Sequence, residues 1–489
     1  MKKATVIGAG IGGLSAACLL ANQGYEVTLY EKNSTPGGKM QEWTHKGYRF
    51  DTGPSLLTMP FQLEKLFDQC GESMSDYLEL TEPDPLCRYF YPDGVIFDNY
   101  SDKEKNAEQI RQFAPTDVSA YNDFLSYSEK LYQRTSDAFL FNPLYNIRDL
   151  KNLNFFNLLK INAFTTVANQ VDKSLSSPYL RQFFKRFTTY NGSSPFQAPA
   201  TLNVIPHVEL NLGGFYVKGG LYGIARALFR LGESLGVSFR FNEKVIAIQT
   251  ENSKVTGLKL KNDRIDETDL VIANSDATDT LLHLISDDVL SPQKKKKQKK
   301  IEPSGSGFVM MLGSRKKWDH LKHHNIFFSS DYEKEFHHIF DEKRLPEDPT
   351  IYVANTSYTD TEDAPPGSSN LFVLVNAPYV NKNHDWKAIG EQYSEFLISE
   401  LESRGLNGLE ESLEFVELIT PADFLEKYRS NSGSIYGTSS NNKFAAFLRP
   451  RNKLRALDNL YMVGGSTHPG GGIPLVIQSA FNALALINR

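Results

Sequence analysis

Cysteine is scarce: Cys18, Cys70 and Cys87 are the only three in 489 residues, and no two are spaced as C-x-x-C. That excludes a disulfide framework, a cysteine zinc site and a dithiol relay for electrons, and it fits a reducing compartment. No apolar run reaches the roughly 20 residues that cross a bilayer. Basic charge is not in excess either: the formal net charge is −5, which argues against nucleic acid as a partner. The paired histidines at 323–324 and 337–338 do not make a metal site. Neighbours on a helix or strand point apart, and no carboxylate stands at ligand spacing, so no metal is expected. What remains, at 40 % hydrophobic and 23 % charged residues, is a globular chain with room for two or three domains.

The start, "MKKATVIGAGIGGLSAAC", has the basic, apolar and small residues of a secretion signal. A stronger pattern overlies it. Residues 4–7 read as a strand, "GAGIGG" as a turn, and 14–23 as a helix closed by Gly24. No signal is therefore expected. Gly8, Gly10 and Gly13, with Gly12 between, form G-x-G-x-x-G between strand and helix. The first glycine turns the chain, the second admits a pyrophosphate against backbone, and the third lets helix and strand pack closely. The helix N-terminus then faces the phosphates. Residues 26–32 read as a second strand ending at Glu31, 18 positions past Gly13, where an acid would accept from ribose hydroxyls.

Next come "STPGGKM", with Gly37–Gly38 and Lys39, and "YRFDTGPSLLT", with Ser55 and Leu56. Glycines admit backbone approach, and a lysine offers charge to phosphate or ribose. This doublet with its basic residue resembles the FAD enzymes of the amine oxidase and carotenoid desaturase superfamily. No second G-x-G-x-x-G occurs; "GGLYG" at 219–223 and "GSIYG" at 433–437 lack its spacing. One dinucleotide site is expected and no nicotinamide site, so electrons must leave to an external acceptor such as a quinone or oxygen.

From 208 onward a helix (221–235) precedes short strands around Val245, at 255–260 and at 269–273, the last leading to Asn274. In the superfamily this block returns to the FAD, with the Val245 backbone at the adenine and Asn274 beside the cofactor. Lys218 stands where many relatives carry proline. Residues 100–207 are dense in aromatics, among them Phe124, Phe155, Phe156, Phe164, Phe183, Phe184, Phe187 and Tyr190. Most belong in a core, and a minority would line an apolar tunnel or meet lipid, the run 152–171 above all. "KKKKQKK" at 294–300 reads as a solvated helix face.

"LYMVGGSTHPGGGIPLVIQSA" near the C-terminus reads as a strand, a glycine turn at Gly464–Gly465, and a buried helix that Pro474 begins. Gly472 and Ile473 would bring the helix N-terminus to a flavin ring and stabilise its reduced form. The string resembles the C-terminal signature of bacterial carotenoid desaturases of the phytoene desaturase type. Leu475 after Pro474, where many lycopene-forming enzymes carry glycine, leans toward desaturases of hydroxylated carotenoids.

The resemblance implies an α/β architecture: a Rossmann-like FAD domain of the glutathione reductase type with an inserted mixed α+β substrate domain. The FAD domain would use 1–100, 208–300 and 441–489, a helical insertion 101–207, and a substrate sheet 301–440. It implies 3,4-desaturation of a 1-hydroxy carotenoid, a lipophilic substrate, and a cytoplasmic enzyme peripheral on the inner face of the membrane. A phytoene or diapophytoene desaturase, a carotene isomerase or saturase, and a flavin amine oxidase stay open. So does a non-enzymatic carrier of prenylated GTPases, although the intact Glu31 and glycine motifs speak against it. The proton acceptor stays unassigned; His468 is the single histidine in a cofactor motif.

Overall fold

The computed structural model describes residues 1–142, 164–381, 384–441 and 449–489. Residues 152–163, which include Phe155 and Phe156, lie outside them. Of the lipid-facing run only its end is described, with Phe164 exposed.

Strand Lys3–Ile7 is Ala-Thr-Val-Ile after one lysine and is buried on both faces, as an inner parallel strand must be. It pairs in parallel with Glu26–Tyr30 on one side (Ala4 opposite Val27) and with Leu270–Ala273 on the other (Ala4 opposite Leu270). Ser238–Arg240 and Leu460–Met462 add the two edges, so this five-stranded parallel sheet draws strands from three distant stretches of chain. Helix Ile11–Asn22 starts three residues earlier than its apolar pattern indicates, with Gly10 as N-cap. The small residues Gly12, Gly13, Ser15, Ala16 and Ala17 pack where larger ones would hold neighbours away. The helix lies against helices Gly223–Ser234 and Ile473–Ile487. In the latter Ile473, not Pro474, is the first helical residue, and Ile477, Ala480, Phe481 and Ala483 are buried in the same core. An antiparallel sheet of Val245–Glu251, Lys254–Leu260 and Ile265–Glu267 packs on the other face.

The second body is a seven-stranded mixed sheet. Its order is Leu413–Ile419, Ser306–Ser314, Ser369–Ala377, Ile351–Asn355, His324–Phe327, Cys87–Phe90 and Ile96–Asn99. The last two strands come from the first hundred residues, so the expected boundary at 100 does not divide the two sheets. Side chains alternate across a strand. Phe308, Val353, Val373 and Val375 face helix Trp386–Ser403 in one apolar core. The opposite face, Cys87, His324, Ile326, Tyr352, Phe372 and Leu374, lines a cavity. A helical lobe closes over it, and Phe124, Phe183, Phe184 and Phe187 form that lobe's core. The basic run forms the short helix Pro292–Gln298 with no buried residue.

Candidate functional site

Two cavities of about 540 and 550 Å³ meet between the bodies. Gly53, Pro54, Phe372, Leu374, Tyr436 and Gly471–Ile473 line both.

The first cavity runs along the C-terminal edge of the parallel sheet, where ligands of open α/β sheets sit. Gly8, Gly10, Gly12, Glu31, Gly38, Lys39, Val245, Asn274, Gly464, Gly472 and Ile473 all line it. The spacing of the loop is explained by steric need. A Cβ on Gly12 would stand 2.7 Å from Asn274 Oδ1 and 3.0 Å from the Gly464 amide. Gly13 lies behind the wall, where a Cβ would stand 2.0 Å from the Gly8 carbonyl oxygen; it serves packing, as the third glycine of the motif should. The first N–H groups of helix Ile11–Asn22 have no intrahelical partner and carry the positive end of the helix dipole.

Glu31 is 6 % exposed. Its carboxylate accepts from the Ala9 N–H at 2.8 Å and the Asn33 N–H at 2.9 Å, one bond on each oxygen. Each oxygen keeps a lone pair for a ribose hydroxyl. Asn274 ties the strands together: its amide donates to the Ile7 carbonyl at 2.8 Å and its Nδ2 to the Gly8 carbonyl at 3.3 Å. The Gly464 N–H donates to Ser479 Oγ at 2.8 Å, which locks the glycine turn to the closing helix. A glycine cradle, a buried acid at one end and a helix N-terminus at the other fit FAD along the groove. Replacing Glu31 by alanine is expected to weaken FAD retention by roughly 1–3 kcal/mol, because a charged acceptor is lost from buried partners. Equilibrium titration of apoprotein with FAD measures it, and unchanged affinity would remove Glu31 from the cofactor.

Other residues are placed differently from expectation. Lys39, which lines the first cavity, also donates from Nζ to the Ser434 and Ile435 carbonyls at 3.3 and 2.7 Å, tying its loop to the cavity wall. Burial pushes its ammonium down to about 8, against the opposing effect of Asp276. Ser55 and Leu56 line the second cavity and not the first. Ser55 Oγ lies 2.7 Å from the Tyr352 hydroxyl. The chain leaves the cofactor groove just after Pro54, which lines both cavities. His468 lines neither cavity. Its Nε2 meets the Asn142 carbonyl at 3.0 Å, and burial lowers its pKa. The cis bond that follows it enters Pro469. His468 thus sits in the turn beside the cavity-lining Pro469, outside both cavity walls. Lys218 makes an exposed pair with Glu79 at 3.4 Å, while the Leu221 and Tyr222 amides of its loop donate to Asp51.

The residues that sequence spacing missed sit at the junction. "GSIYG" carries Tyr436, whose ring packs on the glycine turn: a Cβ on Gly471 would lie 2.7 Å from its Cδ1. Arg449 is buried and donates to the carbonyls of Tyr436 and Gly465 at 3.4 and 3.3 Å. Burial lowers its pKa to about 10. A glycine pair enclosing an aromatic, facing a second glycine-rich turn, was the available signal. His323 and His324 stand ring to ring at 4.4 Å, closer than diverging neighbours should. Their Nδ1 atoms turn instead to Thr359 and to Tyr352. Among the described residues no cluster could hold a metal, and no helix is long and apolar enough to cross a membrane.

Comparison with known proteins adds to this geometry. The family model described as flavin containing amine oxidoreductase matches residues 11–488. A 1-hydroxycarotenoid 3,4-desaturase of Flavobacterium sp. (strain P99-3) is 38 % identical, over 98 % of each chain. A 4,4'-diaponeurosporene oxygenase of Staphylococcus aureus (strain MSSA476) is 35 % identical, over 100 % of this chain and 98 % of its own. The solved cyclohexylamine oxidase of Brevibacterium oxydans IH-35A shares the fold over the whole of both chains, with a TM-score of 0.62 at 16 % identity.

Proposed function

We infer, from the premise that this chain belongs to the family of flavin-containing amine oxidoreductases and is an FAD-dependent oxidoreductase of its carotenoid desaturase branch, that it desaturates an acyclic carotenoid, at the 3,4 bond of a 1-hydroxy carotenoid. The observation that carries the reading is the apolar cavity that opens onto the FAD groove at Gly471–Ile473. A polyene needs shape and apolar walls, and little else, to lie against a flavin. FAD, when bound, supplies the hydride acceptor. The chain's own residues hold the polyene between Phe372, Leu374 and Tyr436, and exclude water from the junction. The 1-hydroxycarotenoid desaturase relative supports the subclass.

One other reading has support of its own. The Staphylococcus relative is named an oxygenase, so oxidation of a terminal carbon is the competing outcome. Incubating the FAD-loaded protein with a 1-hydroxy carotenoid and a quinone, without oxygen, separates the two. Desaturation gives a product lighter by two hydrogens, with absorption at longer wavelength. A product that gains oxygen, and forms only in air, would replace the desaturase reading. Conversion of an amine alone would remove the carotenoid reading. Because such substrates partition into lipid, we also propose a cytoplasmic enzyme that docks reversibly on the inner face of the membrane. Flotation with vesicles of bacterial lipid is its test, and protein left wholly at the bottom of the gradient would refute it.

A further inference from the structure

The second cavity is apolar along most of its length, yet one part of its wall is not. Arg186, His324 and Tyr332 line it and are 6, 4 and 7 % exposed. Each carries a buried polar atom without a hydrogen-bond partner among the described residues: Arg186 Nε, His324 Nε2 and the Tyr332 hydroxyl. Buried polar atoms are nearly always paired, and these three unpaired ones belong to residues that line one cavity.

Their remaining atoms are firmly held. Arg186 Nη2 donates to Glu209 Oε1 and to the Tyr89 hydroxyl, both at 2.5 Å, and Tyr190 donates to the other Glu209 oxygen. The guanidinium carbon stands 4.1 Å from the Phe187 ring centre. His324 Nδ1 lies 2.8 Å from the Tyr352 hydroxyl, which Ser55 Oγ also meets. The side chains are fixed by these contacts, while one polar atom of each is left over. In neutral histidine one ring nitrogen donates and the other accepts, arginine Nε–H only donates, and a phenol does either. This set matches an oxygen that accepts from the arginine and exchanges hydrogen bonds with the other two.

We propose that Arg186, His324 and Tyr332 form a polar end wall of the substrate cavity that receives an oxygen function, a hydroxyl, at one terminus of the polyene. The proposal rests on the carotenoid reading above and names the residues that choose among carotenoids. Position in the sheet agrees with it. Tyr352 pairs with Leu374 on the junction side and with Ile326 on the His324 strand. His324 is therefore about two strand spacings, roughly 10 Å, from the strand of Phe372 and Leu374 that both cavities share.

The test compares FAD-loaded wild type with Tyr332→Phe and His324→Phe, on a 1-hydroxy carotenoid and on the same skeleton without its hydroxyl. Wild type should prefer the hydroxylated polyene. Each variant should lower the ratio of the two kcat/KM values about tenfold, mainly through KM, as expected for one lost buried hydrogen bond. Flavin absorbance and melting temperature verify that the variants are folded. A wild type that does not discriminate, or variants that slow both substrates equally, would overturn the polar wall and leave the desaturase reading standing. A wild type inert toward both polyenes would overturn that reading and the wall with it.

Discussion

Gly13→Ala should yield a nearly colourless protein that unfolds well below the parent temperature. The added Cβ would stand 2.0 Å from the Gly8 carbonyl oxygen and 3.1 Å from the Asn274 Cβ. The obstacle is backbone, so no side-chain rotation relieves it. Helix Ile11–Asn22 must withdraw from the turn, which moves its N-terminal amides off the phosphate position. It also disturbs its packing on helices Gly223–Ser234 and Ile473–Ile487. Overpacking of this kind costs about 1–3 kcal/mol, and more where, as here, backbone cannot yield. Gly10→Ala is the informative contrast: its Cβ would meet mainly the tip of Asn274, 2.7 Å from Nδ2, which can swing aside. The two variants should therefore differ in melting temperature, while flavin content falls in both, since Gly10 lines the cofactor groove. Equal melting temperatures would show that the close approach at Gly13 does not govern the fold of this loop.

Glu209→Leu should destabilise the helical lobe by roughly 3–5 kcal/mol, the usual cost of leaving one member of a buried ion pair alone. Arg186 and Glu209 are 6 and 2 % exposed. Burial opposes the guanidinium charge, and the Glu209 carboxylate overrides that effect and raises its pKa. Without the carboxylate, Arg186 keeps the Tyr89 hydroxyl but faces an otherwise aromatic shell of Phe183, Phe187 and Tyr190. Adding Arg186→Met to Glu209→Leu should recover most of the loss, since the unpaired charge is then gone. Urea unfolding of both single variants and the double variant forms the cycle. Simple additivity would mean the pair is not coupled.

The cofactor half of the molecule was legible because its contacts come in short contiguous strings. Gly8 to Gly13, Glu31, Gly38, Asn274 and Gly464 to Ile473 each sit on a strand end or the turn after it, where local spacing reports position. The substrate half was not legible in that way. Its floor is made of alternate residues on four strands between Cys87 and Leu374, so neighbours in space share no spacing in sequence. His324 read as half of an empty metal motif, and Tyr436 as part of a failed glycine motif, because the partners that give them meaning, Tyr352 for the one and Arg449 and Gly471 for the other, lie on different elements at no regular spacing. Strands Cys87–Phe90 and Ile96–Asn99 crossed the expected boundary for the same reason: parallel pairing of Cys87–Phe90 with His324–Phe327 leaves no local sign. Ser55 and Leu56 show how narrow the border is, since Pro54 touches both cavities and the next two residues only one.

The order of strands in the parallel sheet also sets a timetable. Lys3–Ile7 and Leu270–Ala273 are neighbours, and Leu460–Met462 closes the sheet beside them. A ribosome adding about 5–20 residues per second needs on the order of half a minute to a minute and a half between the first of these strands and the last. For the last part of that interval, about 190 residues or roughly 10–40 s, the inner strand Leu270–Ala273 presents a bare apolar edge, the kind of edge that recruits other chains. Flavin can be captured only once the segment carrying Gly464 and Ile473 has emerged. Yield of holoprotein should then depend on chaperones that shield a waiting edge, and on free FAD at the end of synthesis rather than at its beginning.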